Sequence, residues 1–90
     1  MKYNDAAAAI PWLCRAFGFE QHLVVPGEDG AVVHAQLVFK NGMIMLGSAG
    51  ASDFDDLQKP PSALDGAVSQ SPYIIVDDAD EHYARAVAAG

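Results

Sequence analysis

Residues 32–48, "VVHAQLVFKNGMIMLGS", carry the side chains best suited to chemistry. The imidazole of His34 exchanges protons near neutral pH, so it could serve as a general base or ligate a divalent metal. An ordinary hydrogen-bonding histidine on a strand has the same local sequence. Gln36, two residues on, could hydrogen-bond a ligand beside it, and a cross-strand polar pair would explain it equally well. What these groups do depends on what lies above them.

The segment reads as a hairpin. Asn41-Gly42 is its turn signal, because a type I′ turn needs positive φ at both central positions. A two-residue loop there pairs Lys40 with Met43, Phe39 with Ile44, Val38 with Met45 and Leu37 with Leu46. Strand side chains alternate, so one face carries Val33, Ala35, Leu37, Phe39, Ile44 and Leu46 and is wholly apolar. The other carries Val32, His34, Gln36, Val38, Met45 and Gly47. Apolar walls with a few placed polar groups are the usual make-up of a ligand site. His34, Gln36, Val38 and Met45 are therefore the candidate pocket residues.

Other elements must hold this face in place. "MKY" is a short extended start, and Asp5 is a helix N-cap. Ile10, Leu13, Cys14 and Phe17 then follow the spacing of a buried helical stripe over residues 6–17. Gly18 stands where a left-handed cap belongs. Pro11 either kinks that helix or marks its regular start. Residues 19–25 are rich in strand formers, and "PGEDG" is a turn. Residues 49–71 have no consistent period and hold Pro60-Pro61, as in a long surface loop, a kind often functional. "SPYIIVDD" predicts a further strand, and "DADEHYARAVAAG" a helix with Tyr83, Ala84, Val87 and Ala88 on its apolar side.

The order is thus strand, helix, three strands, linker, strand, helix. The second unit begins like the first, and the sequence reaches Gly90 where three more strands would be expected. The expected division is 1–48 for a first module, 49–71 for a linker and 72–90 for the start of a second, all in one domain.

Composition narrows the function classes. The chain of 90 residues is 51% hydrophobic with one cysteine, Cys14, which excludes an internal disulfide and suits a reducing cytoplasm. The longest uncharged apolar runs fall far short of the ~20 residues that span a bilayer, so no membrane partner is expected. Five Lys+Arg against twelve Asp+Glu give a net charge of −7. The basic residues are scattered, so nucleic acid is excluded as a partner. An acidic surface keeps a small protein dissolved and could also attract cationic ligands.

The remaining candidates are weaker. His22 lies on a strand of unfixed register, and His82 is expected to face solvent. Cys14 should behave as a small buried hydrophobe. Trp12 lies off the main stripe and is expected to pack on the core, with a strand edge or a partner subunit as the alternative. "SDFDDL" and "DDADE" lack the ligand spacing and turn glycine of a calcium loop. No phosphate-binding glycine loop and no Ser-His-Asp set is present.

The segments "YNDAAAAIPWLCRAFGFE", "DGAVVHAQLVFKNGMIMLGS" and "YIIVDDADEHYARAVAAG" together resemble the vicinal oxygen chelate superfamily, in its glyoxalase/bleomycin-resistance-like subgroup. The resemblance implies an α+β fold of paired βαβββ modules, here with the second incomplete, whose sheets curl around a small-molecule site. It implies a glyoxalase-type lyase, dioxygenase or transferase if the protein is an enzyme, and a divalent metal as the possible cofactor. The ligand positions it implies do not carry ligands. The first would precede Met1, the fourth-strand carboxylate falls at Met45, the next near Ser71 or Tyr73, and the last lies beyond Gly90. A thioether is a poor ligand for a hard cation, so no metal site is expected. A binding protein that sequesters a cationic drug-like molecule is the alternative to an enzyme, and a truncated chain without independent activity is the third reading. An unfinished second module leaves edges and apolar patches that seek partners, so a homodimer is expected.

Overall fold

A computed structural model describes residues 1–90. The elements run β1 (Lys2–Tyr3), α1 (Ala6–Phe17), β2 (Glu20–Pro26), β3 (Val32–Phe39), β4 (Gly42–Ser48) and α2 (Ala79–Ala89). Single helical turns lie at Glu28–Gly30, Asp53–Asp56 and Pro61–Ala63. The four strands form one mixed sheet in the order β1-β4-β3-β2, with β1 parallel to β4 and the other pairs antiparallel. No helix is long and apolar enough to cross a membrane.

α1 starts and stops where its caps dictate. The Asp5 carboxylate accepts from the Ala8 amide at 3.0 Å, and Gly18 closes the helix at φ 79° by donating to the Cys14 carbonyl. Pro11 sits inside the helix without ending it. The bond it removes is the one to the Ala7 carbonyl, and both residues are exposed, so water replaces it. Ala6, Ile10, Leu13 and Ala16 are buried against the sheet. Cys14 and Phe17, expected on that stripe, are only half-buried, because α2 rather than the sheet covers their side of the helix.

The hairpin register differs from the expected one. Phe39 pairs with Gly42, Val38 with Met43, Leu37 with Ile44 and Gln36 with Met45. The turn residues are Lys40, at φ 52°, and Asn41, one step before Asn41-Gly42. Relative to the expected pairing, β4 has slipped by two residues, and a slip of two preserves the faces because strand side chains repeat every two. Ala35, Leu37 and Leu46 accordingly line the core.

A bulge in β3 overturns the face assignment at one place. Pro26 pairs with Val32 and Val25 with His34, so Val33 faces no β2 residue of its own. Val32 thereby turns into the core at 5% exposure, and Val33 turns out at 37%. These two residues occupy each other's expected faces.

The strand expected in "SPYIIVDD" does not form. Residues 68–77 make no backbone hydrogen bond, and no strand lies beside them to supply one. Ile74 packs on the core while Tyr73 and Ile75 stand exposed. α2 does form, capped by Asp78, whose carboxylate accepts from the Glu81 amide at 3.1 Å. It docks on α1 through half-buried His82, Ala86 and Ala89. The expected apolar side, Tyr83 and Val87, points away from the domain.

His82 accordingly does not face solvent. Its ring stacks on Phe17 at 5.7 Å between centroids and meets Phe39 edge-on at 6.2 Å. Trp12 extends this aromatic row, with its ring 5.3 Å from Phe17 and its indole N–H donating to the Gly90 carbonyl at 3.1 Å.

Candidate functional site

α1 covers one face of the sheet, and no element covers most of the other. β2 is exposed along its whole length, and Met43 and Met45 are 44% and 51% exposed. Of the four candidate residues, His34 and Met45 come together in a recess of about 200 Å³ at the β1–β4 end of this face. Gln36 is the cross-strand partner of Met45, and Val38 follows two residues along the strand. Both lie on the same open face but outside the recess.

The recess exists because of the bulge. Val33, turned outward, forms one wall beside His34, and Gly47 lies at the floor. A Cβ built on Gly47 would stand 2.7 Å from the Val33 carbonyl oxygen, so the close approach of the two strands requires glycine there. The bulge also frees the Val32 amide from the ladder. Buried Ser48 satisfies it, with the side-chain oxygen accepting at 3.0 Å.

Part of the lining comes from the linker. Ser52, Phe54 and Gln58 line the recess from the chain around the Asp53–Asp56 turn. Lys2 reaches this turn from β1. Its ammonium lies 2.8 Å from the Asp55 carboxylate and donates to the Ser52 hydroxyl at 2.9 Å. The other Asp55 oxygen accepts from the Gly50 amide. The Lys2 ammonium beside it is the main reason the Asp55 carboxyl is held below the ordinary carboxylate range; partial desolvation opposes it and the Gly50 amide reinforces it.

Sequence reasoning named two candidate residues that line this recess, His34 and Met45, put Val33 and Leu46 on the other face, and did not name the linker residues. The available signal was Phe54, a lone aromatic in an acidic loop. Nothing local tied it to His34, because the tie runs through Lys2, far off in the chain.

The donor set does not fit a divalent metal. His34 has a thioether neighbour, and nowhere do three His, Cys, Asp or Glu side chains converge. His22 sits at a second irregularity, between the Gln21–Leu37 and Leu23–Gln36 pairs, and His82 belongs to the helical side. The acidic clusters have other work: Asp55 holds Lys2, Asp77 pairs with Lys40 at 2.7 Å, and Asp78 caps α2. The recess can therefore surround a small molecule with thioether, aromatic and aliphatic surface. His34, Ser52 and Gln58 are available as hydrogen-bonding groups.

No family model matches the chain. Among curated proteins, an uncharacterized protein of Mycobacterium bovis is 31% identical over 87 residues, covering 97% of this chain and 57% of its own length. An uncharacterized protein of Mycobacterium tuberculosis matches equally, over 51% of its length. The chain thus spans about half the length of the curated relatives it matches. Among solved structures, TioX from Micromonospora sp. ML1 superposes with a TM-score of 0.64 at 30% identity, covering 100% of this chain and 68% of that one.

Proposed function

We propose, from the premise that this chain belongs to the same family as TioX, that it is a small-molecule-binding protein of the glyoxalase/bleomycin-resistance-like vicinal oxygen chelate type. The observation that carries this reading is the asymmetry of the sheet. One face is sealed by α1, while the other exposes apolar side chains and free polar groups around a recess. Binding without turnover is favoured over metal-assisted chemistry because His34 has no second imidazole or carboxylate beside it in the recess.

The ligand class follows from charge. Asp53 and Asp56 are exposed on the turn that forms the rim, and the chain as a whole carries −7. Of the two cationic groups at the recess, the Lys2 ammonium on β1 is neutralised by Asp55 and the Met1 ammonium donates to the Met45 carbonyl at 2.8 Å. An apolar molecule bearing a positive charge suits such a site. The open sheet face and the unbonded residues 68–77 support a second module over the recess, from another copy of the chain in a homodimer or from further sequence.

The test is isothermal titration of metal-free protein with ethidium, an aromatic cation. Saturable binding is expected, weakened at least about tenfold by Met45→Lys, which sets a like charge beside the ligand at a cost of roughly 1.4 kcal/mol or more. No binding by the metal-free protein, together with stoichiometric divalent metal after purification without chelator, would overturn the reading. His34 would then be the first residue to replace in search of a reaction.

A further inference from the structure

The linker wall of the recess is held in an unusual way. Residues 50–59 form only local backbone bonds: Ala51 to Ser48, Asp55 to Ser52, and Leu57 and Gln58 to Phe54. Leu57 is 80% exposed and Phe54 63%, so no apolar core fixes the segment. It is anchored at one end by buried Ser48 and at the other by buried Pro60. Between these anchors, polar contacts from the body of the domain come from Lys2 alone, an ion pair with Asp55 and a hydrogen bond to the Ser52 hydroxyl. Lys2 itself is 7% exposed, and a lysine that deep is retained only when its charge is paired.

We propose that residues 50–59 are a movable wall of the ligand recess, latched to the sheet by the Lys2–Asp55 ion pair. This deepens the ligand-site reading and rests on it for its purpose, though the latch itself stands on geometry. With the pair made, Ser52, Phe54 and Gln58 line the recess together with His34 and Met45. With Lys2 withdrawn, the Ser52 hydroxyl loses its donor and Asp55 its counter-ion, and the segment is tethered to the domain only at its ends. Lys2 and Asp55 are thus positioning residues, and the strand lining of the recess does not depend on the pair.

Amide hydrogen exchange on the whole chain tests this without any ligand. In the parent protein the amides of Asp55, Leu57 and Gln58 should be protected. Asp55→Asn should lower protection across 50–59 about tenfold, the low end for loss of a hydrogen bond to a charged group, while β3 and β4 keep theirs. Ser52→Ala, which removes one Lys2 contact and leaves the ion pair, should give a smaller loss confined to the same segment. An unprotected segment in the parent protein, or an equal loss in hairpin and segment in both variants, would overturn the latch. Selective loosening in a protein that fails to bind ethidium would uphold the latch and count against the ligand reading alone.

Discussion

Gly47 on β4 lies directly beneath the Val33 carbonyl on β3, close enough that a Cβ would stand 2.7 Å from the oxygen. The bulge that turns Val33 outward and the glycine that tolerates it are one feature, and the recess is its result. Gly47→Ala should therefore cost about 1–3 kcal/mol, as overpacking of a closed site does. Gly42→Ala, whose Cβ would meet its nearest backbone oxygen at 3.4 Å, is the control and should cost less. Urea unfolding of the two variants checks the difference.

Arg85 ties the two helices. Its guanidinium donates to the Arg15 carbonyl at 2.9 Å and to the Cys14 carbonyl, already bonded by Gly18, at 3.3 Å, meeting the last turn of α1 where the helix dipole favours a cation. Arg85→Ala should raise hydrogen exchange of α2 about tenfold, the scale for losing a charge-assisted hydrogen bond, with the sheet unaffected. Arg85→Lys should not restore protection, since a single ammonium cannot reproduce the planar fork.

The Lys2–Asp55 pair also sets a pH dependence. The folded-state carboxyl of Asp55 is held low, chiefly by the Lys2 ammonium paired with it. A depressed acid contributes stability that is complete above its unfolded value, about 3.9, and is lost as pH falls through the folded-state value. The denaturation midpoint should therefore drop on acidification below about pH 4, and Asp55→Asn should flatten that drop. Asp77 is likewise held low, by Lys40, but the pair is widely exposed and should add little. Thermal melts of the parent and Asp55→Asn between pH 6 and pH 2 check the sign.

Much of the fold was written locally. Asp5 and Gly18 bound α1, Asp78 starts α2, and the alternation of "HAQLVF" assigns Ala35 and Leu37 to the core whatever the exact register. Caps and periodicities act over a few residues, so a sequence states them outright. Other features depended on contacts between distant residues. The bulge exchanged Val32 and Val33 because β2 and β3 had to fit each other. The strand expected in "SPYIIVDD" stayed unpaired for want of a neighbour, and His82 was drawn between Phe17 and Phe39 by the docking of α2. Half of the recess was settled the same way, by an ion pair between Lys2 and Asp55. The sequence alone determined which face of the hairpin α1 would cover and which it would leave open. Only the tertiary structure decided what joins the open face in the recess, because the linker lining is held by a charge buried at the other end of the chain.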